Sequence, residues 1–154
     1  MAKQRGATII LFAVMIPLMM CFSGLVIDLG NLYFHRSQLQ NAADAAALAG
    51  GYTFVEENLN LQNHIAADEA ARAYVKKNIN KTIKGVTIEP RFNNQEHIYY
   101  RVIIKEEVPI YFLRYFPSIA SSTEIGAEGC VKFKVPPNDD KKVELANPRD
   151  VWKN

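Results

Sequence analysis

Cysteine is scarce in this chain, with only Cys21 and Cys130 present. Cys21 lies in the middle of an apolar run and Cys130 near the end of the patterned remainder, so the two cannot pair within one chain. A disulfide scaffold is therefore excluded, and each cysteine reads as a small buried hydrophobe rather than a reactive thiol. An excess of charge of one sign is also missing. Lys and Arg number 18 against 16 Asp and Glu, a net +2, which gives no footing for a nucleic-acid partner. Catalytic patterns are missing too. His35, His64 and His97 stand far apart, none in metal-ligand spacing with a cysteine or carboxylate. There is no glycine-rich phosphate loop and no G-x-S-x-G elbow. Glu106 and Glu107 are adjacent on a strand and so point to opposite faces, and Asp139-Asp140 falls in a polar tail. The expectation is a protein that is not an enzyme and needs no cofactor or metal.

The most informative absence is of charge between Arg5 and Asp28. Residues 7–27 read ATIILFAVMIPLMMCFSGLVI. A bilayer core about 30 Å thick needs roughly 20 apolar helical residues to cross, and this run is long enough. Only a helix can cross alone, because it satisfies its own backbone hydrogen bonds. A buried core helix would show a polar face, and none is visible. A cleaved signal peptide has a shorter apolar core, about 7–15 residues, and the alanine-rich stretch at 42–51 lies well past the run. The segment reads as a retained anchor. Lys3 and Arg5 precede it and Asp28 is the first charge after it, so the N-terminus is expected inside and the rest outside. Asp28 admits two readings. The preferred one is a marker of the water boundary; the other is a cap, or a partner for Arg36 or for a basic group on a neighbouring subunit.

Helical spacing continues over residues 31–51 through Leu32, Leu39, Ala42, Ala43, Ala46 and Ala47, and Gly50-Gly51 reads as the stop. Pro17 and Gly24 interrupt the apolar half. Pro17 predicts a kink or local unwinding, although proline is also well tolerated in membrane helices. The small side chains offer a surface for close approach, covered first by the chain's own domain and alternatively by a neighbouring subunit. A second helix is predicted over 61–79, with Ile65, Ala66, Ala70, Tyr74 and Ile79 on its apolar face and an Asp68–Arg72 pair at i,i+4. The period then changes to two. Val86, Ile88 and Phe92 mark a strand that Pro90 pushes to an edge or a bulge. A turn at 93–96 leads to a strand over 97–105 with Ile98, Tyr100, Val102 and Ile104 on one face.

Residues 109–117, PIYFLRYFP, are the most aromatic piece, and their spacing fits a short helix or a strand equally. Tyr111, Phe112, Tyr115 and Phe116 form a candidate contact surface. Core packing against the sheet is the preferred reading, with interfacial anchoring beside Arg114 as the other. A last strand is predicted over 121–134 through Thr123, Ile125, Ala127, Val131 and Phe133. Asn80-Lys81-Thr82 matches a glycosylation acceptor, a pattern frequent by chance. The resulting layout is a basic N-terminus at 1–6, a transmembrane helix at 7–29 and its extension at 30–51. An extracytoplasmic α+β domain follows at 52–135, then a mobile polar tail at 136–154. The fold class is α+β, a long N-terminal helix packed on a second helix and a small antiparallel sheet.

Residues 5–51 resemble a known family. Arg5-Gly6, the apolar run, Asp28-Leu29-Gly30, Leu32-Tyr33 and the block Leu39-Gln40-Asn41-Ala42-Ala43-Asp44-Ala45-Ala46-Ala47-Leu48-Ala49-Gly50 look like the N-terminal segment of Flp-type, tight-adherence (Tad) pilus-assembly proteins of the TadE/TadG kind. Residues 108–130 loosely resemble the end of short family members. The resemblance implies a pilin-like fold and a pilin-like or minor-pseudopilin component of a surface pilus or related secretion system. Its partners would be other pilus subunits or copies of itself, met through the N-terminal helix, and the lipid bilayer. Its place would be the cytoplasmic (inner) membrane or an extracellular filament. Pro17, Gly24, Asp28, Leu39, Ala42, Ala43, Ala46 and Ala47 would serve helix packing and assembly. Prepilin-type processing would fall between Gly6 and Ala7, with Leu11 standing where processed pilins typically carry glutamate. The alternative is a membrane-anchored extracytoplasmic binding module that is not built into a filament.

Overall fold

A computed structural model describes residues 3–57, 63–79, 83–93, 97–134 and 143–147. Helix α1 spans Lys3–Glu56 and α2 Ile65–Asn78; the strands are β1 Gly85–Asn93, β2 His97–Pro109, β3 Ser122–Lys134 and β4 Glu144–Leu145. A single 3-10 turn, Leu113–Tyr115, lies between β2 and β3. The α+β class predicted from the sequence is what forms: a long apolar-ended helix, a second helix and a four-stranded antiparallel sheet in the order β1-β2-β3-β4. The chain divides into two compact units, one of Met1–Phe34 with Val108–Thr123, the other of His35–Glu107 with Glu124–Asn154.

The second unit holds the core. Leu39, Ala42, Ala43, Ala46, Ala47, Phe54 and Val55 of α1 are buried with Ala67, Ala71 and Val75 of α2 and with Ile98, Tyr100, Val102 and Ile104 of β2. Ala127, Val131 and Phe133 of β3 and Val143 complete the cluster. The alternation expected in β2 is present, every second residue from Ile98 to Val108 being buried. β1 pairs antiparallel with β2, from Gly85 opposite Lys105 to Asn93 opposite His97, and it is an edge strand, the place where Pro90 is tolerated. On the other sheet face Arg101 reaches Glu89 of β1 and Glu128 of β3, and Lys105 reaches Glu124 at 2.9 Å.

Close approach of α1 to the sheet explains why α1 does not end at Gly50-Gly51 as expected. The helix runs on to Glu56. A Cβ at Gly50 would collide with the ring of Tyr100, and one at Gly51 would lie 2.7 Å from the Val131 side chain. The two glycines are therefore the flat spot on which the sheet rests, not a terminus. Glycine inside a helix costs about 1 kcal/mol relative to alanine, and burial of Phe54 and Val55 beyond the pair, each worth roughly 1.5–3 kcal/mol, outweighs it. Gly129 of β3 plays the same part opposite the Ala43 carbonyl.

Three further expectations are corrected. The buried face of α2 is Ala67, Ala71 and Val75, while Ile65 and Tyr74 are exposed. The i,i+4 ridge of small residues packs because the helix lies close to its neighbours, and the larger residues cannot fit beneath it. Asp68 does not pair with Arg72. It accepts a hydrogen bond from the Tyr100 hydroxyl at 2.8 Å and lies 2.9 Å from His64 Nδ1, while Arg72 Nη1 donates to the Val86 carbonyl at 3.4 Å. Within the stretch expected to be a polar tail, β4 pairs with β3 in the register Val131 opposite Leu145, and Val143 is buried. The predicted turn residues 94–96, the Asn80–Thr82 sequon and the rest of the tail lie outside the described residues.

Candidate functional site

The first unit concentrates the features that are not explained by a core. Thirteen large apolar side chains of α1 between Ile9 and Ile27 are exposed, each by 41% or more. Returning them to an apolar environment is worth on the order of 20–40 kcal/mol at roughly 1.5–3 kcal/mol each, more than a small domain's entire stability. A helix with this surface is better served by an apolar environment than by water. Among the described residues α1 is the one helix long and apolar enough to cross a membrane. Pro17 lies inside it without ending it. Gly6 is exposed.

At the end of the apolar run Gly24 and Asp28 are buried by the segment 110–121. Ile110 N–H donates to the Ser121 carbonyl at 2.9 Å, closing the neck of this loop. Phe112 caps the 3-10 turn but no side chain of the turn itself satisfies the amides there. Asp28 does so from the helix. Its Oδ1 accepts from the Tyr111 amide at 2.8 Å, and its Oδ2 accepts from Phe112 at 3.0 Å and Leu113 at 2.7 Å. Three successive amides converging on one carboxylate make a backbone anion nest, and such charge-assisted bonds are about twice as strong as neutral ones. Asn31 Nδ2 adds a bond to the Pro109 carbonyl at 3.3 Å. Gly24 admits the loop, since a Cβ there would stand 2.8 Å from Phe112 Cβ.

Asp28 is thus a cap, one of the alternatives expected of it, and neither a solvated marker of the boundary nor a partner of Arg36. It is 1% exposed and its partners are amides. The aromatic segment likewise departs from the expected core packing. Tyr111, Phe112, Tyr115 and Phe116 are exposed by 46% to 77%, and the Arg114 guanidinium stands 5.3 Å over the Tyr115 ring. The structure therefore joins Gly24 and Asp28 to the aromatic group, whereas Leu39, Ala42, Ala43, Ala46 and Ala47 are enclosed in the second unit under the chain's own sheet. The sequence offers a cap as one role for Asp28 but does not point to the amides it caps, because backbone amides are not encoded by residue type.

Three polar groupings stand out among the described residues of the second unit. His35 Nδ1 lies 3.3 Å from the Glu106 carboxylate, both residues 5% exposed; sequence reading missed this pair because 71 positions separate its members. His64, Asp68 and Tyr100 form the second, and burial together with the Asp68 hydrogen bond pushes the Tyr100 hydroxyl well above its ordinary range. Arg101 with Glu89 and Glu128 is the third. Burial pushes the Cys130 thiol up to about 12, so it is no nucleophile at neutral pH. A hollow of about 490 Å³ beside Arg36, Gln40 and Glu128 contains neither histidine nor cysteine. Among the described residues no three His, Cys, Asp or Glu side chains gather to hold a metal.

The class this defines is a protein with an N-terminal helix fit to be embedded in a membrane and a small α+β head. Residues 6–53 match the model of a family described as "Putative Flp pilus-assembly TadE/G-like", the family resemblance carried by residues 5–51. The matched stretch contains the apolar run, Asp28 and the whole alanine block. No curated protein and no solved structure matches the chain. The match supports a role related to Tad pilus assembly, in company with other pilus components, and it fits a membrane-anchored protein.

Proposed function

We propose that the chain is a pilin-like or minor-pseudopilin component of a Tad/Flp-type pilus or related secretion system. It works by helix packing and not by catalysis. The observation that carries this reading is the exposed apolar surface of α1 from Ile9 to Ile27 within the family-matched segment. A subunit stored in lipid leaves it only where its helix is buried again, and a bundle of like helices supplies that burial. The enclosed alanine block supports a division of labour, with the lower part of α1 free for neighbours and the part from Leu39 onward committed to its own domain. Lys3 and Arg5 before the run support an N-terminus on the cytoplasmic side of the inner membrane.

Intact mass of the protein from sheared surface material and from membranes tests the reading. Its presence in the sheared fraction, either full length or lacking residues 1–6, is the expected outcome. Confinement to the membrane fraction, with no crosslink to any pilus component, overturns it.

A further inference from the structure

The aromatic turn lies within the first unit at a defined level on α1. Phe112 is seated against Gly24, three residues before Ile27, the last residue of the apolar run. At 1.5 Å per residue that is roughly 4–5 Å inside the run's end. Asp28 then holds the amides of Tyr111, Phe112 and Leu113 at the run's upper edge. The turn consequently occupies the depth at which a helix embedded over this run passes from hydrocarbon to headgroups.

Its chemistry suits that depth. Tyr111, Phe112, Tyr115, Phe116 and Ile119 are exposed together. Residues 110–121 contain one basic residue, Arg114, and no acid. Tyrosine presents an apolar body with a polar tip, and arginine lays its stem along apolar surface while its head stays with water or phosphate. Water is a poor environment for such a patch. An acyl-chain interior is equally poor for the Tyr hydroxyls and the guanidinium. The headgroup layer satisfies both ends, and an anionic leaflet adds about 1 kcal/mol for a basic residue near its surface.

We infer that residues 110–121 are a second membrane contact, seated in the headgroup layer of the bilayer in which the N-terminal helix is embedded. The helix alone would tether the protein; helix and turn together fix it at two points. This rests on the membrane reading of α1 given above.

The test uses the full-length chain with its single tryptophan removed by Trp152→Phe and one reporter introduced, Tyr115→Trp, with Phe116→Trp as an independent second. Ile16→Trp reports on the helix itself. Each variant is reconstituted in vesicles of phosphatidylethanolamine and phosphatidylglycerol carrying lipid brominated either near the headgroup or near the chain end. Seating in the headgroup layer predicts that the reporter at 115 or 116 is quenched by shallow bromine at least about twice as strongly as by deep bromine, with the reverse order at 16. Quenching at 16 with none at 115 or 116 overturns the inference while the membrane helix stands, and blue-shifted unquenched emission there assigns the turn to a contact with a second copy of the chain instead. Absence of quenching at all three positions overturns the membrane reading, and the inference with it.

Discussion

At the scale of single residues, a missing Cβ decides how near β3 and β2 come to α1. Gly129 faces the Ala43 carbonyl, a backbone group that cannot rotate away. Gly129→Ala should therefore lower stability by about 1–3 kcal/mol, as overpacking does. Gly50→Ala meets the Tyr100 ring but gains about 1 kcal/mol of helix propensity, so its loss should be the smaller of the two. Denaturant midpoints of the detergent-solubilised protein check the ranking. Tyr100 gives a second prediction, in pH. Its hydroxyl holds its proton above the ordinary value of 10.0, where the unfolded chain releases it. The stability this contributes is complete below about pH 10 and is lost as pH rises through the higher folded value. Tyr100→Phe should lose about 0.5–1.5 kcal/mol at neutral pH with the Asp68 hydrogen bond, yet fall less steeply above pH 10. Parallel alkaline unfolding curves for the two proteins would refute this.

At the scale of elements, the 3-10 turn and α1 depend on one carboxylate. Asp28→Ala removes the acceptor of three amides. Hydrogen exchange at Tyr111, Phe112 and Leu113 should accelerate by roughly tenfold or more, given about 1.5–3 kcal/mol for a bond to a charged group, while the amides of β2 are unchanged. This element was the least legible in the sequence. Its aromatics have no period, and its holder recognises amides that any residue carries. The readable elements were those whose side chains state their own periodicity. Alternation named the buried face of β2 through Ile98, Tyr100, Val102 and Ile104, and small-residue spacing named the buried ridge of α1. In α2 the same logic fixed the helix but not its face, because the bulky Ile65 and Tyr74 outweigh Ala67 and Ala71 on any hydrophobic count although only the alanines fit. Gly50-Gly51 misled for a related reason. A glycine's conformational freedom and its lack of bulk leave the same letter in the sequence, and here the second was in use.

At the scale of the whole molecule, the two units expose opposite kinds of surface. The second encloses its apolar residues, while the first leaves the largest of them outside. A chain shortened to begin at Asn31 keeps every core residue of the second unit from Leu39 to Val143. It should be monomeric in aqueous buffer with its helix and sheet content retained, as circular dichroism and size-exclusion chromatography would show. It also lacks Asp28, so limited proteolysis should cut it within 110–121, where the full chain resists. Aggregation of the shortened protein with loss of helical signal would mean that the second unit needs the first in order to fold.

The Asp28 clamp bears on how far this chain can be mixed with proteins that share the matched N-terminal segment. The family-matched stretch looks like an interchangeable anchor, since it is contiguous and ends at 53. Its carboxylate nevertheless finishes a turn encoded more than eighty residues downstream. The two segments are lock and key within one polypeptide. A hybrid that takes its anchor from one such protein and its head from another inherits a keyhole cut for a different key, unless the donor supplies both an acceptor at position 28 and a small residue at position 24.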